Sequence, residues 1–418
     1  MTAALGLAGG VLTGCVAFWT LQGELTGRIP TFLIAFGLAF AAYLVALRAS
    51  KGISPRGLKA ALVLAVLWRA ALVATPPLLS DDVYRYVWEG RIQLHDGNPY
   101  KWADRAEGPR WEGHRDTIWE RVNHKDYTAV YPPLWQLAAR AVVAIRDSVA
   151  AMKVFVVACE LGMLAALARL LALRGLPRER LLIAAWSPLA LVEIAGSGHN
   201  EALGLLFLAL SLLALEAGRP MLSALASALA FQAKLVPGLI AAGWWRRYRW
   251  VHVMAAALLA MALVVPYAGA RQGLWRSLGS YGRYWRFNET LFVPLAALLG
   301  SHAAATALAG IAVLGVALAL GYARVEPAAA GMAVVATWLL LTPNVLPWYA
   351  LNFLPFLVLR DAPAVLVFTG TTALAYLVYP GWLLGGPWQV GWGVRAAEYG
   401  PCALLALMQL WPRHAATR

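Results

Sequence analysis

Apolar runs of about 20 residues recur along this chain and constrain its fold more than any other feature. A helix rises about 1.5 Å per residue, so about 20 apolar residues are needed to cross the hydrocarbon core of a bilayer. We therefore predict roughly 12 to 14 membrane segments, several of them shortened or broken by proline. The candidate segments are Ala4–Gln22, Pro30–Leu47, Leu58–Thr75, Val149–Leu173, Leu181–Ile194, Ala202–Leu215, Met221–Gly243, Val251–Tyr267, Ala303–Ala323, Ala328–Thr342, Tyr349–Leu359, Ala362–Tyr379 and Arg395–Leu410. We expect Met221–Gly243 to form two half-helices that meet near Lys234 and Pro237.

The composition excludes the main classes of water-soluble protein. Of the 418 residues, 61% are hydrophobic and only 13% are charged, which is about half the charged share of a typical soluble domain. A soluble chain could not bury so much apolar surface and still cover itself with polar groups, so a soluble enzyme and a disordered regulator are excluded. The three cysteines lie in apolar stretches and show no disulfide, metal or redox spacing. The sequence therefore predicts an all-α polytopic membrane protein, with residues 1–418 forming a single transmembrane domain.

The charges are unevenly distributed, and their distribution predicts the orientation of the chain. The net charge is +14, from 35 basic and 21 acidic side chains, but ten of the acidic side chains lie between residues 81 and 126. Basic clusters at 48–59, 174–180 and 246–249 are typical of cytoplasmic loops and do not by themselves indicate nucleic-acid binding. The connections that then face outward are 76–148, 196–201, 268–290 and 343–348. We expect the functional site on this outer face and no nucleic-acid partner.

The outer loop at 76–148 contains the most informative motif. It reads Ser80-Asp81-Asp82-Val83-Tyr84-Arg85-Tyr86-Val87-Trp88-Glu89-Gly90-Arg91. A helix is predicted to begin at Ser80 or Asp81 and to end before Gly97, which places Asp81 and Asp82 at its first turn. Arg85 then lies within ion-pair reach of either aspartate. The alternative is that the acidic pair only caps the helix and complements its dipole.

A second short helix is predicted in the same loop. It begins at Tyr131-Pro132-Pro133 and runs to Ile145, since proline is favoured in the first turn of a helix. Two helices that lie on the membrane could form a roof over a cavity. They could equally be plain interfacial anchors, because Tyr131 and Trp135 suit the level of the lipid headgroups.

Four side chains in other segments are candidate donors to an anionic or polar ligand. Lys234 lies inside an apolar stretch, where an unpaired charge is costly and usually functional; the alternative is a lysine that snorkels toward the interface. His199, in a turn with Asn200 at a helix start, could donate to a phosphate or a sugar or could be a plain turn residue. Arg283 and Arg286 lie among aromatic residues, which suits phosphate and sugar rings but also interfacial anchoring.

Several motifs occur in an order that resembles the GT-C superfamily of polytopic glycosyltransferases. They are Asp81–Arg91 with Gly97-Asn98-Pro99-Tyr100, then Tyr131-Pro132-Pro133, Gly198-His199-Asn200-Glu201, Lys234 followed by Pro237, and Pro347-Trp348-Tyr349. The chain looks most similar to bacterial polyprenyl-phosphate-mannose-dependent mannosyltransferases, and more distantly to eukaryotic GPI mannosyltransferases. Members of the family place an acidic pair in the first large outer loop, as this chain does. Relatives often have aspartate where this chain has Glu89 and Glu201.

The resemblance implies a GT-C-like fold and a defined reaction. The implied enzyme moves a sugar, expected to be mannose, from a polyprenyl-phosphate donor to a lipid or glycan acceptor of the cell envelope, at the outer face of a bacterial plasma membrane. Asp82 or Asp81 would be the general base, and attack on the opposite face of an oxocarbenium-like centre would invert the configuration. The scheme requires no cofactor; an acidic pair could hold a divalent ion, but no metal-ligand spacing indicates one. The residues expected to bind substrate are Arg85, Tyr86, His199, Asn200, Glu201, Lys234, Trp348 and Tyr349, together with Arg283 and Arg286, which are chosen for their aromatic surroundings.

Two other hypotheses remain open at the level of the sequence. A secondary transporter or flippase of a lipid-linked or small polar substrate also has intramembrane charges, such as Lys234 and Glu160, and proline-broken helices. Such proteins usually contain internal repeats, and this chain has no convincing repeat. The other hypothesis is a non-catalytic relative that binds the lipid-linked sugar as a subunit of a larger assembly. We expect Arg69 and Glu160 to be structural partners of each other.

Overall fold

The computed structural model describes residues 3–410, and most of these residues are helical. The α-helices are α1 (Ala3–Gln22), α2 (Ile29–Ala49), α3 (Pro55–Val73), α4 (Asp82–Leu94), α5 (Thr117–Glu120), α6 (Pro133–Ile145), α7 (Val149–Leu173), α8 (Leu182–Ala185), α9 (Pro188–Ala190), α10 (Glu201–Glu216), α11 (Pro220–Ala233), α12 (Leu235–Ala241), α13 (Trp250–Val264), α14 (Gly273–Tyr284), α15 (Phe292–Leu299), α16 (His302–Tyr322), α17 (Pro327–Leu341), α18 (Leu354–Leu359), α19 (Pro363–Thr371), α20 (Val378–Trp382) and α21 (Trp392–Leu410). Short 3-10 helices occupy Thr26–Arg28, Trp102–Asp104, Pro109–His114, Arg178–Leu181, Ala242–Arg247, Val265–Ala270, Pro347–Phe353 and Thr372–Leu377, and a π-helix occupies Leu191–Gly196. Within 3–410 the backbone forms no β-strand, and its one isolated bridge joins Phe287 to Asn344.

Six helical segments in the described part of the chain are long and apolar enough to cross a membrane. They are Ala3–Gln22, Thr26–Ala49, Val149–Leu173, Trp250–Ala270, His302–Tyr322 and Pro363–Trp382. Four further apolar helices have 10–17 residues: Pro133–Ile145, Pro220–Ala233, Pro327–Leu341 and Pro347–Leu359. The chain is therefore an all-α polytopic membrane protein, which confirms the predicted fold class. Length and composition assign six spans, so the total of roughly 12 to 14 segments stays a prediction.

Two of the predicted membrane segments are interrupted, and both interruptions lead to polar side chains. The stretch Met221–Gly243 forms the two predicted half-helices, α11 and α12, because Lys234 is extended (φ −158°, ψ 134°) and Pro237 has no amide hydrogen to continue the helical ladder. The stretch Leu181–Ile194, one of the shorter segments expected to be broken or flanked by proline, is divided into α8, α9 and the π-helix. Proline at the start of α9 again removes a backbone donor, and the side chain of Ser187 accepts from the amide of Ala190 instead.

Helix α7 contacts α3, α4, α6 and α10, and charged side chains lie in its middle and just after its end. In its middle, Glu160 forms a fully buried two-point ion pair with Arg69 of α3, with Nη2–Oε1 at 2.5 Å and Nε–Oε2 at 2.7 Å, which confirms the predicted partnership. Where α7 ends, Arg174 forms ion pairs at 2.8 Å with both Glu216 and Glu326 and so ties α10 to α17. Buried charges are stable only when paired in this way, so these contacts have a structural role.

The loop at 76–148 packs onto the other end of α7. Its helices α4 and α6 contact each other and α7. The side chain of Gln136 in α6 donates to Glu89 of α4 at 2.6 Å, and the rings of Tyr86 and Trp135 meet edge to face at 4.8 Å. Most of α4 is buried, so the alternative that it is a plain interfacial anchor is wrong. The predicted bounds of both helices are confirmed, since α4 ends before Gly97 and α6 ends at Ile145.

Candidate active site

The acidic pair lies where the chain enters α4. Asp82 is the first residue of this helix and Asp81 precedes it, but the side chain of Asp81 forms no capping hydrogen bond. The amide of Asp82 bonds instead to the hydroxyl of Ser80 at 3.3 Å. Capping therefore does not account for the two carboxylates, which are available for other contacts.

Asp82 is surrounded by hydrogen-bond donors. The amide nitrogen of Asn123 donates to Oδ1 of Asp82 at 2.6 Å and to Oδ1 of Asp81 at 2.8 Å, so one side chain bridges the pair. The hydroxyl groups of Tyr131 and Tyr86 lie 3.3 and 3.5 Å from Oδ2 of Asp82. Asp82 thus faces the interior of the site, whereas Asp81 is exposed at its edge.

The predicted ion pair between Arg85 and one of the aspartates is not formed. Arg85 pairs with Glu89 at 3.0 Å and donates to the backbone carbonyls of Asn123 at 3.0 Å and His124 at 2.5 Å. The buried carboxylate of Glu89 needs a cation more than the exposed Asp81 does, because an unpaired buried charge is strongly unfavourable. Arg85 therefore holds the loop that presents Asn123 to the acidic pair.

A tight turn between the π-helix and α10 brings His199 against α4. Gly198 has a φ of +84°, and a Cβ added to it would lie 3.1 Å from Val83 and 3.2 Å from Lys153. Only glycine accepts both this conformation and this close approach without strain. The turn therefore places the ring of His199 beside Asp82, with Nδ1 3.7 Å from Oδ2.

The ring of His199 has two other contacts. It stacks on Trp348, with the ring centroids 3.8 Å apart and the planes inclined by 22°. Its Nε2 lies 3.4 Å from Glu193 of the π-helix, and Glu193 accepts a hydrogen bond from the hydroxyl of Tyr376 at 2.7 Å. His199 is thus fully buried between two carboxylates, so it is more than a turn residue.

Lys234 lies beside Tyr131, in the break between α11 and α12. It forms an ion pair with Glu201 and donates to the side-chain oxygen of Asn200 at 3.1 Å. Its Nζ lies 5.6 Å from the ring centroids of both Tyr131 and Tyr349, within range of cation–π attraction. Since the side chain is paired and only 15% exposed, Lys234 does not snorkel to the interface.

Two further segments complete one wall of the site. The 3-10 helix Pro347–Phe353 supplies Trp348 and Tyr349, and α14 supplies Tyr281. The hydroxyl of Tyr281 forms hydrogen bonds with the hydroxyl of Tyr349 and with the amide of Asn344. Aromatic faces and hydroxyl groups are therefore presented together, which is the surface that binds sugars well.

The two arginines predicted to bind substrate in the connection after α13 do not join this cluster. Arg286 pairs with Glu289 at 2.9 Å and donates to the ring of His302 at 2.7 Å. Arg283 is exposed and lines a separate groove with Lys101. The reason is geometric: α14 directs Tyr281 inward, and Arg283, two residues later, lies on another face of the same helix.

Several buried polar atoms around Asp82 have no aligned hydrogen-bond partner within residues 3–410. They are Oε2 of Glu193, both ring nitrogens of His199, Nδ2 of Asn200 and Oε2 of Glu201. Buried polar atoms are normally paired, so a group of them around one carboxylate indicates a polar ligand. The group contains both donors and acceptors, which the hydroxyls of a sugar can pair with.

Burial shifts the pKa of two carboxyls in the 76–148 loop. Asp81 reaches solvent at the edge of the site, but protein surrounds the rest of its carboxyl; this partial loss of water raises the pKa of Asp81 above its ordinary value, and the neighbouring Asp82 raises it further. Burial likewise raises the pKa of Glu89, against the opposing effect of Arg85.

In the part of the chain that the structure describes, no group of three or more His, Cys, Asp or Glu side chains could hold a metal ion.

Four residues of the site are not identified from the sequence: Asn123, Glu193, Tyr281 and Tyr376. Glu193 carries a usable signal, since a carboxylate in an apolar segment is usually functional or paired. Asn123, in a polar loop, and Tyr376, in an apolar segment rich in aromatics, carry none. Their proximity to Asp82 arises from the packing of segments that are distant in the chain.

The helical membrane fold, with carboxylates, a lysine and aromatic rings that converge at one end of the helices, is typical of an integral membrane glycosyltransferase. A family model described as alpha-(1->6)-mannopyranosyltransferase, N-terminal domain (MptA_B family) matches residues 3–245. The match covers more than half of the chain, so this protein belongs to that family and is a mannosyltransferase. No curated protein and no solved structure matches the chain. Since the family consists of glycosyltransferases, the transporter and non-catalytic hypotheses are not retained.

Proposed function

We propose that this mannosyltransferase takes its sugar from polyprenyl-phosphate mannose and transfers it to a lipid or glycan acceptor of the cell envelope. The observation that carries the proposal is the Asp82 carboxylate. It accepts a hydrogen bond from Tyr131 at 3.3 Å, and the ring of the same tyrosine lies 5.6 Å from the ammonium of Lys234. A carboxylate that can take a proton and a cation that can stabilise a leaving phosphate are the two groups that this transfer needs.

We assign the role of general base to Asp82 rather than to Asp81. Asp82 faces the tyrosine hydroxyls and His199, whereas Asp81 lies at the solvent edge. In the transfer, the acceptor hydroxyl gives its proton to Asp82 and its oxygen bonds to the anomeric carbon. The bond between that carbon and the phosphate oxygen breaks, and its electron pair stays on the phosphate.

The stereochemistry of the donor follows from this assignment. Attack from the face opposite the phosphate inverts the anomeric centre. An alpha-(1->6) product, which the family description implies, then requires a β-linked mannosyl phosphate donor. It also requires a primary hydroxyl group as the acceptor, because position 6 of mannose carries one.

The remaining polar side chains suit the other parts of the donor. Lys234 is a cation beside the rings of Tyr131 and Tyr349, so we assign it to the phosphate. His199, Asn200 and Glu201 have the unpaired donors and acceptors to bind sugar hydroxyls, and Trp348 offers an aromatic face. These residues come from both halves of the sequence, which supports a single GT-C-like domain over 1–418 with its acidic pair in the 76–148 loop.

The proposed location is a bacterial plasma membrane with the site facing outward. The acidic pair lies near the beginning of α7, and the arginine cluster around Arg174 lies at its end. Basic residues flanking membrane segments remain in the cytoplasm, so the Asp82 end is assigned to the opposite side.

The test is a transfer assay on the purified protein in lipid nanodiscs. Polyprenyl-phosphate mannose in the β and α configurations is supplied separately with a mannoside acceptor that has a free primary hydroxyl. We expect alpha-(1->6) product from the β donor only, and none from either donor with the Asp82→Asn variant. Equal use of both anomers would contradict inversion, and use of a nucleotide-linked mannose in place of the lipid donor would contradict the donor class.

A further inference from the structure

Helix α14 has two polar faces that point in different directions. On the inner face, Ser277 shares a hydrogen bond with Thr128 at 2.5 Å, and Tyr281 bonds to Tyr349 in the candidate active site. On the outer face, Arg276 and Arg283 are exposed. The helix therefore separates the candidate active site from a second surface.

That second surface is a groove of about 740 Å³ between α14 and residues 101–103. Its charged side chains are Lys101, Arg276 and Arg283, and no carboxylate lines it among the residues that the structure describes. The guanidinium of Arg276 stacks on the ring of Trp102 at 4.8 Å. Three unneutralised cations in one groove repel one another and indicate an anionic ligand.

The groove is fixed in place by a close backbone contact. A Cβ added to Gly273, the first residue of α14, would lie 2.3 Å from the carbonyl oxygen of Tyr100. Only glycine permits this approach, which holds the helix against the residues that carry Lys101 and Trp102. The groove is thus a built feature rather than a chance gap between loops.

One end of the groove adjoins the end of a candidate membrane span. It is lined by Gly269 and Ala270, where the predicted span Trp250–Ala270 ends. Only 6% of that span is buried inside the protein, so nearly all of it is open to lipid chains. Trp275 and Tyr284, which are 64% and 69% exposed, flank the groove in the way that aromatic side chains mark the headgroup level.

We propose that this groove binds the phosphate headgroup of an anionic phospholipid from the same leaflet. The lipid's acyl chains would lie along the exposed face of the span, and its phosphate would lie between Lys101, Arg276 and Arg283. This lipid is distinct from the sugar donor, because the reacting phosphate of the donor has to lie beside Asp82 and Lys234, on the other side of α14. The site does not depend on which donor the enzyme uses.

The test measures which phospholipid stays bound to the intact protein. The protein is reconstituted in nanodiscs that contain equal amounts of phosphatidylglycerol and phosphatidylcholine, and native mass spectrometry counts the lipid molecules retained on release. We expect one retained phosphatidylglycerol per wild-type chain. In the triple variant Lys101→Gln, Arg276→Gln, Arg283→Gln the preference for phosphatidylglycerol falls roughly tenfold or more, since each cation near an anionic headgroup contributes to binding.

A charge-matched control is available at the other end of the same span. The variant Arg246→Gln, Arg247→Gln, Arg249→Gln also loses three exposed cations and should retain the lipid as wild type does. Equal retention by the groove variant and the wild type, or an equal loss in the control, would overturn the proposal. Displacement of the lipid by inorganic phosphate would also overturn it and make the groove a site for soluble anions. If the triple variant aggregates, the same retention of phosphatidylglycerol is measured on the single variants Arg276→Gln and Arg283→Gln, and each should show a smaller loss.

Discussion

Two neighbouring aspartates have different surroundings in this mannosyltransferase, because each side chain contacts different residues. Asp82 receives hydrogen bonds from Asn123 and faces Tyr131 and His199, whereas Asp81 shares only the Asn123 amide and reaches solvent. The same carboxylate chemistry can therefore serve as a base at one position and as an electrostatic neighbour at the next.

Replacement of the proposed base should remove most of the activity. We expect Asp82→Asn to lower kcat about 10²- to 10⁴-fold, which is the usual contribution of a general base. Asp81→Asn should cost about tenfold or less, because it removes a neighbouring charge but no proton acceptor. Transfer assays on purified variants measure this, with Asp96→Asn, an exposed carboxylate of the same loop, as the control. A larger loss in Asp81→Asn than in Asp82→Asn would reverse the assignment.

The pH profile should identify Asp81 separately. Because the pKa of Asp81 is raised, its carboxyl takes up a proton at a higher pH than an ordinary aspartate does as the pH falls. The wild-type rate should therefore change above the ordinary aspartate pKa of about 3.9, and this step should be absent from the Asp81→Asn profile. An unchanged acid limb in that variant would show that Asp81 does not titrate in this range.

The contribution of Lys234 to transfer can be measured separately from its contribution to stability. Lys234→Gln alone leaves the buried Glu201 unpaired, which typically costs about 3–5 kcal/mol. The double variant Lys234→Gln, Glu201→Gln removes both charges and should regain a thermal unfolding temperature near that of wild type. Transfer should stay at least about 10²-fold reduced in both variants if Lys234 stabilises the leaving phosphate. Restored transfer in the double variant would assign the lysine a purely structural role.

At the level of elements, the site is built where regular helices stop. The break between α11 and α12 presents Lys234 to the site, the π-helix presents Glu193, and the turn at Gly198 presents His199. In each place the backbone leaves the helical ladder, and polar side chains take positions inside an apolar protein. Interrupted helices in a membrane are tolerated where they are buried in protein, as these are.

The turn at Gly198 should be sensitive to a single methyl group. Gly198→Ala combines an unfavourable φ of +84° with a Cβ 3.1 Å from Val83, so His199 should be displaced from Asp82. We expect a cost of about 1–3 kcal/mol in stability and a clear fall in kcat. Gly218→Ala is the matched control, because Gly218 also has a positive φ (+68°) but a Cβ there meets nothing within 4 Å. Similar activity in the two variants would show that the crowding at Gly198 is unimportant.

At the level of the whole molecule, the two ends of the helix bundle contain different features. One end contains the 76–148 loop, the candidate active site and the cationic groove. The other contains ion pairs that join helix ends, such as Arg174 with Glu216 and Arg180 with Asp361, both at 2.8 Å. This asymmetry is what an enzyme with substrates on one side of a membrane requires.

Orientation can be measured by labelling single cysteines in intact cells. Cys15, Cys159 and Cys402 are first replaced by serine or alanine, and one cysteine is then introduced at Glu112 or at Lys51, both exposed. A membrane-impermeant maleimide should label position 112 in intact cells and position 51 only after permeabilisation. Labelling in the opposite order would place the Asp82 site in the cytoplasm and contradict the proposed outward location.

Much of the fold could be predicted because its signals are local. Apolar runs located α1, α2, α3 and α7 closely, and the proline after Lys234 predicted the break between α11 and α12. A proline also predicted the break in Leu181–Ile194, at Pro188, but the π-helix that follows it was not predicted; this π-helix packs against α3 and α7. For the site, charges inside apolar segments pointed correctly to Lys234, while Arg283 and Arg286 looked suitable by composition but lie outside the cluster.

Apolar periodicity and basic flanks therefore establish that this is a helical membrane protein and where its acidic loop lies, because both depend on residues near one another in the chain. The partners of each polar side chain do not follow from such signals. Arg85 pairs with Glu89 instead of an aspartate, and Asn123, Glu193 and Tyr376 meet around Asp82 and His199, because buried charges and hydrogen bonds are satisfied by whichever groups the packing brings close. These partners come from segments that are separated by up to 300 residues in the chain. They come together only when the helices have packed, so local sequence signals cannot identify them.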